Sequence, residues 1–590
     1  MTTRVPLSSS QTCLVSGAEV GTLNKAFEEV LQEAEQDGSK VYTRWEQIGT
    51  AVGKRNLRIY CEKDKQVIFQ IQEYKWPTQI LIHTSKCRIP NDDPSNEDVT
   101  KFFHREEYVT CSKKPLLTYV ETTDSVSTLH VNRNLLGTYS LFKISCCHSS
   151  ETRIVHANKS DDEVSFSECV PFESSVNITD LVVMVKCKTS LGVVYSNVHA
   201  AISSRHVSES KMKRNWTAET TPFGVLFVGI DSISKMNLVR TMPKTYEFLR
   251  GRDFYDLKGY TKIGDNTFPN WMAILTGKAW TQIYEHCDPK KNKMSNCDTM
   301  WDKFSDLGYI TAYAEDESSI GTFNYNRKGF ASPPTGFYMR PYVEQLPSIK
   351  KFGMHTCSGP ESSGERIMNF AKDFAITFPY HPKFGLFWMN TFSHDTLNLP
   401  DHGFRFGEIR YTHTGWLEER LPYIYIHLPK RFKERHPAEF NNFLTNTKRL
   451  SNPFDVHMTL QDVLLSPNQT YSVRPGLARP KCHSLFKEID EARTCKDCAI
   501  EQHWGHKCAY YHLKKIVFSG MSESYLNELN HTVNFFLIML ETRPPAMFEA
   551  TVEVAVQHHK LPSFRLLVFS AVEDLYLQQQ QILHNPTHLL

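Results

Sequence analysis

The chain has 590 residues, 67 Lys and Arg against 65 Asp and Glu, 40% hydrophobic and 12% aromatic. At roughly 100–200 residues per domain, that is about three or four domains, or one large enzyme core with appendages. A net charge of +2 excludes a strongly basic nucleic-acid binder and an acidic solvating tail, and aromatics spread along the chain exclude general disorder.

Residues 1–55 read as an atypical polar lead with one helix-like stretch at Leu23–Ala34. Residues 56–202 read as a β-rich, cysteine-supported domain, with short apolar runs at Gln66–Gln72, Thr78–His83, Thr118–Val120, Leu181–Cys187 and Gly192–Tyr195. Residues 203–220 are polar and charged, a linker. Residues 221–465 change texture. Gly224–Ile230 is a continuous apolar run of the kind expected for a buried parallel strand, and it ends at Asp231. A helix is expected over Pro243–Leu249, a loop over Gly264–Asn270 and a second helix opening with Trp271. Tyr309–Ala314, Phe384–Asn390 and Pro422–Leu428 are further strand candidates. Strands alternating with helices predict an α/β sheet. Residues 466–590 form a Cys- and His-containing C-terminal region whose last part is strand-like.

The compartment signals conflict. No apolar run reaches the roughly 18 residues of a spanning helix, and Met1–Val20 has no apolar core of a secretory signal. Yet the 15 cysteines lack the paired spacing of zinc sites and suit an oxidising environment. Sequons at Asn158, Asn177, Asn215, Asn468 and Asn530 agree but add little, since a long chain carries about this many by chance.

Chemistry is expected where strands of an open parallel sheet end. Asp231 stands at one such end, although an Asp there also serves as a cap or turn former. Thr267, in Gly264-Asp-Asn-Thr-Phe-Pro-Asn-Trp-Met-Ala-Ile-Leu-Thr-Gly277, precedes a Pro at a helix start, where backbone N–H groups favour an anion. Thr267 or Asn266 could equally be a plain cap. Phe392-Ser-His394-Asp395 follows the apolar run Phe384–Asn390, and Asp401-His402-Gly403 comes soon after. Asp and His at strand ends are good ligands for Zn²⁺ or similar ions.

In these segments the chain resembles the alkaline-phosphatase/sulfatase superfamily. It is most similar to a large branch abundant in nematodes and catalogued as a domain of unknown function. The matching text is Val228–Ser234, Gly264–Gly277, Ser393–Asn398, Asp401–Glu408, Leu417–Pro422 and Asn452–Leu460. The resemblance runs from about Cys87 to Val554. It implies an α/β core, an alkaline-phosphatase-like mixed sheet flanked by helices, holding one or two divalent cations, Zn²⁺ before Mn²⁺ or Mg²⁺. By the same resemblance Thr267 is the nucleophile and also a metal ligand, with Asp231, His394, Asp395, Asp401 and His402 completing the metal side. His457 is a late candidate whose segment also reads as a buried amphipathic helix. An extracellular, lumenal or membrane-associated setting is implied too.

Residue chemistry narrows the reaction. The sulfatase pattern opens this helix with Cys/Ser-x-Pro-x-Arg, whereas here Thr267 takes the first position and Trp271 the last. Threonine cannot become the formylglycine aldehyde, so an ordinary sulfatase is disfavoured. A phosphatase, phosphodiesterase or phospho-group transferase working on phosphate esters fits better.

One departure bears on activity. Only Thr396–Pro400 separates Asp395 from Asp401, where the family implies a crossover helix and a second strand. Five extended residues span roughly 17 Å, and a parallel crossover needs a dozen or more. A strand–helix unit is therefore expected to be missing. Two functions follow: a metal-dependent hydrolase or transferase of phosphate esters, inactive if that loss spoils the site, or a non-catalytic extracellular or lumenal protein keeping the fold to bind a glycan or protein. A cytosolic protein with free thiols is a third, weaker reading. Substrate and oligomeric state are not legible.

Overall fold

The computed structural model describes residues 80–500 with interruptions, the larger being 104–109, 155–162, 392–408, 466–470 and 475–480, and isolated strands nearer both ends. The expected helix at Leu23–Ala34 lies outside the described residues. The chain divides into two compact units, 1–91 with 501–590, and 92–500. The first contains an eight-stranded sheet. Its strands lie in the order 2–8, 11–16, 55–61, 65–71, 516–518, 534–541, 547–555 and 563–571. All its pairings are antiparallel except that between 516–518 and 534–541.

The second unit is mixed α/β. It opens with antiparallel strands, among them Ser145–Ile154, Val182–Thr189 and Gly192–Ala200, which lie side by side. Alternation along Val182–Thr189 puts Val183, Val185 and Cys187 inside and Lys186 and Lys188 outside. Cys146 and Cys187 face each other across two of these strands and are disulfide-bonded, and Cys147 bonds Cys169. Cys111–Cys357 and Cys287–Cys297 make four disulfides among the described residues.

The part that positions the candidate site is a four-stranded parallel sheet. Its strands are β1 (Val225–Ile230), β2 (Ile310–Glu315), β3 (Phe337–Tyr338) and β4 (Lys383–Met389), in the spatial order β1-β4-β2-β3. The helices that matter here are α1 (Pro243–Gly251), α2 (Thr267–Thr276), α3 (Ser363–Thr377), α4 (His413–Arg420) and α5 (Pro453–Leu465). α2 opens four residues earlier than Trp271, because Pro269 is tolerated in a first turn whose N–H groups have no helical partner. The strand expected over Pro422–Leu428 is shorter, Tyr425–His427, and pairs with Phe254–Asp256 outside the parallel sheet.

Aromatic packing holds helices to both faces of the sheet. On one face Phe227 meets Trp271 edge-on at 5.3 Å, and Trp271 meets Trp388 at 5.1 Å. On the other, Phe370 and Phe374 of α3 pack on Phe387 of β4, each with ring centroids 5.8 Å apart. Such pairs contribute about 0.5–1.5 kcal/mol each beyond the area they bury. Buried Arg366 of α3 reaches the antiparallel strands, donating to the Val198 carbonyl at 3.1 Å and to the Asn197 side chain. Among the described residues no helix is long and apolar enough to cross a membrane.

Candidate active site

β1 delivers Asp231 to the carboxyl end of the sheet. The Asp231 N–H donates to the Met389 carbonyl at 2.8 Å, extending the β1–β4 ladder by one residue. Ser232 then turns at φ 64°, a left-handed conformation unusual for a residue with a side chain. The cap of the following helix, Lys235–Thr241, is Ser234, whose Oγ accepts the Asn237 N–H at 2.9 Å. Asp231 is thus relieved of the capping role that its position would otherwise suggest.

Thr267 begins α2, also at the carboxyl end of β1. Its hydroxyl donates to Asp231 Oδ1 at 2.7 Å, so the two residues with the strongest claim in the sequence are in direct contact. Asn266 precedes the helix in extended conformation and makes no side-chain cap. The loop is braced instead by Asn270, which accepts the Ile263 N–H at 2.9 Å and donates to the Gly264 and Asn266 carbonyls at 2.9 and 2.8 Å. Gly264 is needed there: a Cβ on it would stand 2.6 Å from Pro269 Cγ. Trp271 is buried in the aromatic core against Phe227 and Trp388.

Asp231 is 3% exposed, and its second oxygen, Oδ2, is buried with no hydrogen-bond partner among the described residues. An unpartnered carboxylate oxygen in such a place is costly unless something neutralises it. Its chemistry, a hard anionic oxygen beside a hydroxyl, suits a divalent cation. His394, Asp395, Asp401 and His402 lie outside the described residues. Among the described residues no three His, Cys, Asp or Glu side chains gather as a metal group.

His457 lies elsewhere. It is buried in α5 and its Nδ1 is 2.9 Å from the Ile274 carbonyl, a geometry in which the ring N–H donates. Burial pushes its pKa down to about 4, so the ring is neutral. Seven residues of helix, about 10 Å, separate Ile274 from Thr267. Cys287, which opens a segment superficially like the sulfatase pattern, is disulfide-bonded to Cys297.

Two groups escaped the sequence reading. Asp316 follows β2 as Asp231 follows β1. It accepts the Asn390 N–H at 2.6 Å and the Thr391 hydroxyl at 2.5 Å, pinning the chain just before the Ser393-His394-Asp395 segment. Burial raises its pKa to about 6. Its sequence signal is the same as that of Asp231, an acid directly after an apolar strand. Lys262 is buried at 3.5 Å from Glu419 and shares with Asp231 and Thr267 the wall of one large cleft. Adjacent Glu418 receives the Ser234 hydroxyl at 2.7 Å and the Arg240 guanidinium, tying α4 to the turn after Asp231.

Comparison with curated proteins finds no match. A family model does match, over residues 104–401 and again over 397–534, together well over half of the chain. The chain therefore belongs to the family described as Protein of unknown function (DUF229).

Proposed function

We propose that this chain carries the site of a metal-dependent hydrolase or transferase of phosphate esters in the alkaline-phosphatase/sulfatase superfamily, with Thr267 as nucleophile. The observation that carries the reading is the 2.7 Å hydrogen bond from Thr267 to Asp231 beside the unpartnered Asp231 Oδ2. Asp231 Oδ1 holds the hydroxyl proton and fixes the rotamer of Thr267. The N–H groups of the first turn of α2 favour the negative charge of a phosphoryl group. Asp231 would hold a divalent cation through Oδ2, with His394, Asp395, Asp401 and His402 the further ligands that the family resemblance implies. Such an ion supplies charge neutralisation and lowers the pKa of a bound hydroxyl. Threonine at position 267 leaves no route to formylglycine, which disfavours an ordinary sulfatase.

A second reading has its own support. Among the described residues β1 pairs with β4 alone, so its outer edge is open. The two stretches of the family match overlap at 397–401, the same place where the sequence lacks room for a crossover. Both observations suit a core short of one strand–helix unit. A chain so altered would be a non-catalytic, extracellular or lumenal binding protein that retains the fold, a setting with which four disulfides are compatible.

The deciding experiment is turnover of an aryl phosphate by the full chain in Zn²⁺, Mn²⁺ or Mg²⁺. The hydrolase reading expects activity that falls at least a hundredfold in Thr267→Ala, with the melting temperature little changed. Stoichiometric metal without turnover of any phosphate or sulfate ester would leave the binding-protein reading.

A further inference from the structure

The open edge of β1 faces a cleft of about 2010 Å³, at least twice the roughly 300–1,000 Å³ of small-molecule pockets. Its walls are apolar and unusually exposed. Leu226 and Val228 of β1 are 43% and 47% exposed, Phe248 of α1 55%, Met368 of α3 45% and Tyr380 54%, and all five line this cleft. By contrast, Ile310–Ala314 of β2, an interior strand of the same sheet, is buried throughout. A parallel strand is normally covered on both faces, and exposed apolar side chains gathered in one cleft mark an interaction site.

The chemistry of the edge decides what the site takes. Tyr423 bonds the Ile230 backbone at one end, and the Tyr309 hydroxyl donates to the Phe223 carbonyl at the other. Between them, the outward N–H and C=O groups of Val225–Gly229 have no partner among the described residues. A lipid tail or apolar small molecule would strip water from these groups and return no hydrogen bonds, leaving each with its full desolvation penalty. A polypeptide strand returns them all.

The walls also set the side chains of the guest. Met368 and Tyr380 approach from the α3 side, and Ile424 and Ile426 from the side of the Phe227 and Trp271 cluster. Both faces of an added strand would therefore meet apolar groups. We infer that this cleft binds an extended polypeptide segment of about six residues, apolar on both faces, which adds as a strand to the open edge of β1. The guest resembles β1 itself in composition, a continuous apolar run rather than an alternating one.

A fluorescein-labelled peptide bearing Val-Leu-Phe-Val-Gly-Ile, the sequence of residues 225–230, with flanking lysines for solubility, tests this by anisotropy on the full chain. Saturable binding is expected. Two further peptides, N-methylated at alternate amides in the two registers, should separate: one at least tenfold weaker, the other near the parent. Met368→Glu, a change at an exposed helix position, should weaken the parent peptide about tenfold. Aryl-phosphate turnover is measured on the same preparation, so a chain that binds the peptide saturably without turnover separates failure of the phosphate-ester chemistry, on which this site does not depend, from failure of this site. Absence of saturable binding, equal binding of both methylated peptides, or displacement of the peptide by decanoate at equal affinity in wild type and Met368→Glu would overturn the inference.

Discussion

At the scale of single residues, buried carboxylates divide into those given partners and those left without. Asp455 receives both ends of the Arg493 guanidinium, at 3.0 and 2.8 Å, together with two backbone N–H groups, and its charge is fully met. Glu151 is the opposite case. Its Oε2 is buried without a partner among the described residues, and burial, with the Glu344 carboxylate a smaller cause, lifts its pKa from 4.5 to about 8. A carboxyl whose folded pKa is raised binds its proton more tightly in the folded state. The stability it contributes is therefore complete below pH 4.5 and is lost as pH rises through about 8. Each unit of displacement is worth about 1.4 kcal/mol, so the loss is on the order of a few kcal/mol. Urea unfolding at intervals from pH 5 to 9 should show a decline that Glu151→Gln flattens. An unchanged slope in the variant would mean that the decline arises elsewhere.

At the scale of elements, α2 shows how a short segment is fixed at both ends. Its start is set by Asn270 and Gly264, and its end by Gly277, which turns at φ 67°. A Cβ on Gly277 would stand 2.7 Å from the His457 ring, which cannot withdraw because its Nδ1 is committed to Ile274. Gly277→Ala combines a left-handed backbone with overpacking and should cost about 2–4 kcal/mol. Gly137→Ala, with open space around the new Cβ, should stay within about 0.5 kcal/mol. Comparable losses in the two variants would show that the His457 contact yields. The strands and helices around this segment were legible because their signals are local: Val225–Ile230 is a pure apolar run, and α2 has its Pro early and its Gly late. Periodicity presents Thr267 and Asp231 only as two separate candidates, since it says nothing about which loops meet, and it is the family resemblance that puts them in one site. Asp316 repeats the local pattern of Asp231, but what it holds is not legible, because its partners Asn390 and Thr391 are more than seventy residues away in sequence. The open edge of β1 is legible only indirectly: the short Thr396–Pro400 link predicts a missing strand, but an apolar run does not reveal which neighbour it lacks.

At the scale of the whole molecule, stability of the 92–500 unit rests on long-range ties as well as on its aromatic core. Cys111–Cys357 joins residues 246 apart, whereas Cys287–Cys297 spans 10. The loops they close in the unfolded chain differ greatly in entropy. The chain-entropy relation gives ~5.5 kcal/mol for the long loop and ~2.7 kcal/mol for the short one. The long tie also lands on the hairpin at Met354–Ser358 beside buried Arg366, which donates to the Ser358 carbonyl at 2.9 Å. The same region is therefore held covalently and by a buried hydrogen-bond network. Replacing Cys111 and Cys357 together by Ser should lower the unfolding free energy by ~3 kcal/mol more than replacing Cys287 and Cys297, as measured by guanidinium titration. Both pairs are changed together so that no odd thiol is left to mispair. If the two double variants lose the same amount, loop entropy is not what these disulfides contribute, and the packing around Arg366 carries the long-range tie by itself.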